Sequence, residues 1–109
     1  MTDNLLPYIY YNELKNSYRA YIPYLSSNIN IQNIAYNTYL ICELLDLPKN
    51  NENYSPSYTY CYNDIKFEIG IEGNNLDKIY EAIKIIQLKL KNHNCIINDN
   101  FTTLEITQN

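Results

Sequence analysis

The chain has 109 residues, 46% hydrophobic and 18% charged, which suits one globular domain over residues 1–109 and excludes a disordered chain. Its net charge of −4, with Arg19 as the only arginine, disfavours a surface that grips nucleic acid or anionic lipid through charge. No apolar run is long enough to span a bilayer, and no basic region followed by an apolar stretch opens the chain. The expectation is therefore a cytoplasmic, intracellular protein with no membrane contact.

Residues 1–27 carry two competing patterns. Tyr10, Leu14, Tyr18, Tyr21 and Leu25 form a four-residue stripe, and Pro7 suits the first position of a helix. Tyr18, Ala20, Ile22 and Tyr24 instead alternate as a strand would, and tyrosine favours strands. The stripe predicts a helix from about Tyr8 to Tyr21, with Pro23 ending it.

After the Ser26-Ser27-Asn28 connector, Ile31, Ile34, Ala35, Thr38, Ile41, Cys42 and Leu45 lie on one helical stripe, and Pro48 stops it. A second apolar strip, Tyr36, Tyr39, Leu40, Leu44 and Leu47, runs beside it. An apolar girdle this wide predicts burial on two sides. Lys49 to Ser57, rich in Asn, Ser and Pro, is the main loop.

The clearest signal is the stretch from Tyr58 to Leu90. Tyr58, Tyr60 and Tyr62 alternate with Thr59 and Cys61, and Ile65, Phe67, Ile69 and Ile71 alternate with Lys66, Glu68, Gly70 and Glu72. An Asn63-Asp64 turn between them predicts a hairpin in which Tyr62 faces Ile65, Tyr60 faces Phe67 and Tyr58 faces Ile69. On that register the three tyrosines are core, and Glu68 and Glu72 lie on a solvated face. Asn74 or Asn75 then caps a helix, Asp77 suits its first turn, and Leu76, Ile79, Tyr80, Ile83, Ile86, Gln87 and Leu90 face inward.

Cys95-Ile96-Ile97, a turn at Asn98-Asp99-Asn100 and Phe101 to Thr107 read as a second hairpin. The fold class is therefore α+β: two N-terminal helices and a four-stranded, mainly antiparallel sheet (ββαββ) covered on one face by helices.

Candidate chemistry is sparse. His93, Cys95 and Cys61 lack the paired spacing of a zinc site, and neither thiol has the basic neighbours that activate a nucleophile. The three cysteines do not form a disulfide framework. Gly70-Ile71-Glu72-Gly73-Asn74-Asn75 leads from strand to helix but has too few glycines for a phosphate loop, and its acids repel an anion. Two Asn-x-Ser/Thr sequons, at Asn53 and Asn100, are what an asparagine-rich chain produces by accident. Heavy use of Asn, Ile and Tyr (13 Tyr) fits AT-rich coding, as in an AT-rich bacterium, a virus or another mobile element, and lowers the weight of each such residue as a marker.

These observations predict no catalytic residues, no cofactor and no metal. They point to a protein–protein interaction module: a self-associating adaptor or small inhibitor or immunity-type protein, with a homodimer as the default oligomer. Tyr36, Tyr39, Leu40, Leu44 and Leu47 are the expected partner surface, since tyrosine is enriched at interfaces. The rival readings are a nucleic-acid binder using the tyrosine strand as a stacking platform, and an enzyme whose site forms across a subunit interface.

Overall fold

Turn chemistry decides the N-terminal segment. In the computed structural model, which describes residues 5–48 and 51–100 and the backbone of 106–108, Tyr8–Asn12 (β1) and Ser17–Leu25 (β2) pair antiparallel. The Asn12 Oδ1 accepts from the Leu14 N–H at 3.1 Å and the Lys15 N–H at 3.3 Å, and Asn16 takes a φ of 48°, which asparagine tolerates. The helix expected from Tyr8 to Tyr21 is therefore a hairpin. Leu14, which that helix needed on its buried stripe, is 99% exposed in the turn.

The remaining elements are Ile29–Ile34 (α1), Thr38–Leu44 (α2), Ser55–Cys61 (β3), Lys66–Gly73 (β4), Leu76–Asn92 (α3) and Ile106–Gln108 (β5). Strand order is β3-β4-β2-β1-β5, antiparallel throughout except for the parallel pair β1–β5. The α+β class, with an antiparallel four-stranded sheet and helices on one face, is observed. Its strands are β3, β4, β2 and β1, so the N-terminal hairpin supplies half of them. From the expected second hairpin, Ile96 makes an isolated bridge to Leu25, and Ile106–Gln108 joins β1. Residues 101–105, where its second strand was expected to begin, lie outside the described residues.

Pro23 stands inside a central strand without breaking the sheet. The β1–β2 ladder begins at Tyr8↔Tyr21, so Pro23 lies beyond it, where a missing N–H costs no ladder bond.

The helix expected from Ile31 to Leu47 is interrupted between α1 and α2. Asn37 restarts it, its Oδ1 accepting from the Leu40 N–H at 3.0 Å. Asn75 caps α3 through the Lys78 N–H at 3.2 Å, Asp77 lies in its first turn and Lys89 and Lys91 in its last, as the sequence pattern requires. One core joins the sheet residues Ile22, Ile69 and Ile71 to Ile41 of α2 and Ile83 and Ile86 of α3.

The β3–β4 register departs from expectation by one residue. Cys61 pairs with Phe67, Thr59 with Ile69, Tyr60 with Glu68 and Tyr58 with Gly70. The Tyr62 N–H donates to the Lys66 carbonyl at 2.9 Å, which leaves Asn63-Asp64-Ile65 as a three-residue loop. The Asn63 Oδ1 closes it by accepting from the Ile65 and Lys66 N–H groups at 2.9 and 2.8 Å. Since side chains alternate, one extra loop residue carries the side chains from Tyr58 to Tyr62 to the other face. Tyr58, Tyr60 and Tyr62 leave the core.

Tyr24 takes the aromatic place in the core instead. It is fully buried against Phe67, with ring centroids 5.6 Å apart, and its hydroxyl has no hydrogen-bond partner among the described residues. Burial pushes that phenol far above its ordinary range. Tyr24→Phe removes an unsatisfied polar atom and keeps the ring, so it should raise stability by about 1 kcal/mol in urea unfolding. A loss instead would mean that the hydroxyl has a bonded partner.

Candidate functional site: the tyrosine face of the sheet

The sheet face away from the helices is built by strand alternation. β1 places Tyr8, Tyr10 and Asn12 there, β2 places Arg19 and Tyr21, and β4 places Lys66, Glu68, Gly70 and Glu72. The shifted register adds Tyr58 and Tyr60 of β3, with Tyr62 just beyond it.

The six rings form a continuous chain across the sheet. Tyr10 meets Tyr8 edge-on at 5.8 Å, and Tyr8 stacks on Tyr21 at 4.8 Å. Tyr21 meets Tyr58 edge-on at 5.3 Å, Tyr58 leans on Tyr60 at 6.4 Å, and Tyr60 on Tyr62 at 4.6 Å. Tyr58 crosses β4 by lying over Gly70, where a Cβ would overlap its ring. Tyr60 and Tyr62 are 49% and 46% exposed; the other four are half-buried.

One carboxylate ties this layer together. Glu68 is only 2% exposed, yet it accepts three phenol hydrogen bonds. Oε1 takes Tyr8 at 2.8 Å and Tyr58 at 2.7 Å, and Oε2 takes Tyr62 at 2.9 Å. A buried carboxylate with both oxygens engaged is satisfied without a cation. Burial, then the bond to Glu68, pushes the Tyr8 and Tyr58 phenols far above their ordinary range. Tyr62 is also raised, chiefly by burial.

Cations sit at the rim of this face. Arg19 Nη2 donates to Glu72 Oε2 at 3.1 Å, and hydrogen bonds to Tyr21 and Glu72 raise its guanidinium pKa. Lys66 Nζ lies 4.8 Å from the Tyr62 ring centroid. Between the rings is a shallow depression of about 480 Å³, lined by Tyr8, Tyr10, Asn12, Arg19, Tyr21, Tyr58, Tyr60 and Glu72.

Of the sequence-predicted partner strip, Tyr36 lies in the break between α1 and α2, Tyr39, Leu40 and Leu44 lie in α2, and Leu47 follows it. Tyr36, Tyr39 and Leu40 are exposed on the helical side of the molecule, Leu44 is half-buried against the core, and Leu47 is in the core. Glu68, expected on a solvated face, is on the predicted side of its strand but under tyrosines. The Gly70–Asn75 turn is filled rather than open, since a Cβ on Gly73 would meet the Asn53 carbonyl oxygen at 2.5 Å.

Among the described residues no group of His, Cys, Asp and Glu stands ready to hold a metal ion, and no helix is long and apolar enough to cross a membrane. Burial raises the Cys61 and Cys95 thiols. Sequence reasoning counted Tyr8, Tyr10 and Tyr21 only as surplus aromatic area in the N-terminal segment and did not place them, or Arg19, together in one site. Their spacing by two on either side of Asn12 and Asn16 was the available signal. Comparison with protein-family models, curated proteins and solved structures gave no match.

Proposed function

We propose that this chain is a non-catalytic protein-binding module, of adaptor or small-inhibitor type, that takes a basic protein partner on the tyrosine face of its sheet. One observation carries the reading: helices cover one sheet face, while the other presents six tyrosines, three of them hydrogen-bonded to a single buried carboxylate. Tyrosine offers a large apolar body and a polar tip with few torsions to freeze. The bonds to Glu68 fix three of the rings before a partner arrives, so less entropy is lost on binding.

Charge favours a partner rich in lysine and arginine. The chain carries −4, ring faces attract cations, and the face already holds Lys66 over Tyr62 and Arg19 beside Tyr21. Phenols held far above neutral pH serve as fixed contacts rather than proton carriers, which suits binding. Open rings on a sheet also resemble a base-stacking platform. Against that use, Arg19 is bound to Glu72, and a phosphate backbone entering the depression would meet the Glu72 carboxylate.

The test is an NMR titration of labelled protein with a short arginine–glycine peptide and, separately, with oligothymidylate. The peptide should shift the ring resonances of Tyr10, Tyr21 and Tyr60, and Tyr10→Ala and Tyr60→Ala should each weaken it several-fold. Ring shifts with oligothymidylate alone, fading steeply with salt, would replace the reading by nucleic-acid binding. No ring shift with the peptide would reject it.

A further inference from the structure

The β3 edge has a self-complementary pattern that the tyrosine-face reading does not use. Among the described residues β3 is the outermost strand on its side of the sheet. The Tyr62 N–H points at β4, and backbone direction alternates along a strand, so Tyr60 and Tyr58 also turn their polar groups to β4. Thr59 and Cys61 therefore turn an N–H and a C=O each away from the sheet. Edges of this kind are templates for pairing unless blunted.

Blunting is confined to the first half of the strand. Pro56 removes a donor, and the register slips between Pro56 and Tyr58, where Ser57 is the extra residue. From Tyr58 to Tyr62 there is no proline, no glycine and no bulge. Ser55 to Asn63 also contains no charged residue, in a chain whose net charge is −4. The edge is thus a place where two acidic chains can meet without opposing charges.

We propose that a second copy of this chain pairs antiparallel on β3, about a two-fold axis at Tyr60. Only residues with outward polar groups can exchange hydrogen bonds, which limits the register to Thr59 opposite Thr59, Thr59 opposite Cys61, or Cys61 opposite Cys61. The first brings Ser57 and the bulge into the ladder, and the last runs into the Asn63-Asp64-Ile65 loop. The middle register uses the whole unblunted stretch. Thr59 of each copy exchanges both backbone bonds with Cys61 of the other.

In this register Tyr60 lies directly across from Tyr60 of the second copy, and Tyr58 across from its Tyr62. These are the non-hydrogen-bonded positions, where side chains approach closest and aromatic pairs stabilise a ladder. The two-fold axis stands perpendicular to the sheet, so both tyrosine faces look the same way and join at the seam. The pairing stands independently of what that face binds.

Light scattering and sedimentation of the full chain test it. The wild type should be a dimer. Tyr60→Lys and Tyr60→Glu should each be monomers, because like charges then face each other across the axis. Mixing the two variants should restore a dimer, since the introduced ammonium of one then meets the introduced carboxylate of the other. Where a charged variant fails to fold, a cross-link replaces it. Thr59→Cys/Cys61→Ser mixed with wild type under oxidised glutathione should give a disulfide-linked heterodimer within the reach of paired strands. A monomeric wild type, charged variants that stay dimeric, or no cross-link at dimer-forming concentration would overturn the proposal.

Discussion

Glu68→Ala should lower stability by about 2–4 kcal/mol, the larger part of it from the Tyr8 and Tyr58 hydroxyls. Both are half-buried and lose their acceptor at 2.8 and 2.7 Å. A buried donor left without a partner costs about 1–3 kcal/mol. Tyr62, 46% exposed, can turn its hydroxyl to water at little cost. Removing a buried charge relieves some desolvation, which keeps the total below the sum of three bonds. Glu68→Gln retains a carbonyl oxygen in the same place and should cost about 1 kcal/mol. Urea unfolding with near-ultraviolet circular dichroism measures both, and the tyrosine signal should fall with Glu68→Ala. An unchanged urea midpoint would mean that the carboxylate does not hold the layer.

The same network makes the fold sensitive to alkali. The Tyr8 and Tyr58 phenols are raised above the ordinary 10.0 by burial first and Glu68 second. Near pH 10 the unfolded chain therefore releases phenol protons that the folded chain still holds. Stability is fully present below that pH and is lost as pH rises above it. In Glu68→Ala the fall should be shallower, since the contribution of the hydrogen bond is gone while that of burial remains.

The sequence was most legible where a local signal needed no partner. In α3, periodicity, the Asn75 cap and Asp77 agree, and the helix formed as expected. The hairpin before it was legible in kind but not in register. Ile65 looks like a strand residue by alternation, and the Tyr62–Lys66 backbone bond together with the two bonds to the Asn63 Oδ1 places it in the loop. That single residue exchanges core for surface along β3.

A similar ambiguity governs residues 8–24. A four-residue stripe and a two-residue alternation coexist in them, and local composition could not choose. Asn12 and Asn16 settle it by closing a turn around Leu14. The consequence for function is an inversion. Tyr58, Tyr60 and Tyr62, assigned to the core, lie on the open face, while of the residues assigned to a partner Leu47 lies in the core and Leu44 packs half-buried against it.

Gly70 gives the second large effect, with a sign that depends on Tyr58. Gly70 does not take a positive φ, so its backbone accepts alanine. What opposes alanine is the Tyr58 ring, which occupies the place of the missing Cβ. Gly70→Ala must lift that ring away, breaking the bond to Glu68 and the edge contact with Tyr21, at a cost of about 2–3 kcal/mol. In a Tyr58→Ala background the obstruction is gone, and the next neighbour is the Ser57 Oγ at 3.4 Å. There the same substitution should stabilise by about 0.5–1 kcal/mol, because alanine loses less chain entropy than glycine on folding. A double-mutant cycle in urea reads this as a coupling of about 3 kcal/mol between adjacent strands. Additive effects would place the Tyr58 ring elsewhere and detach it from the carboxylate on which the whole face is built.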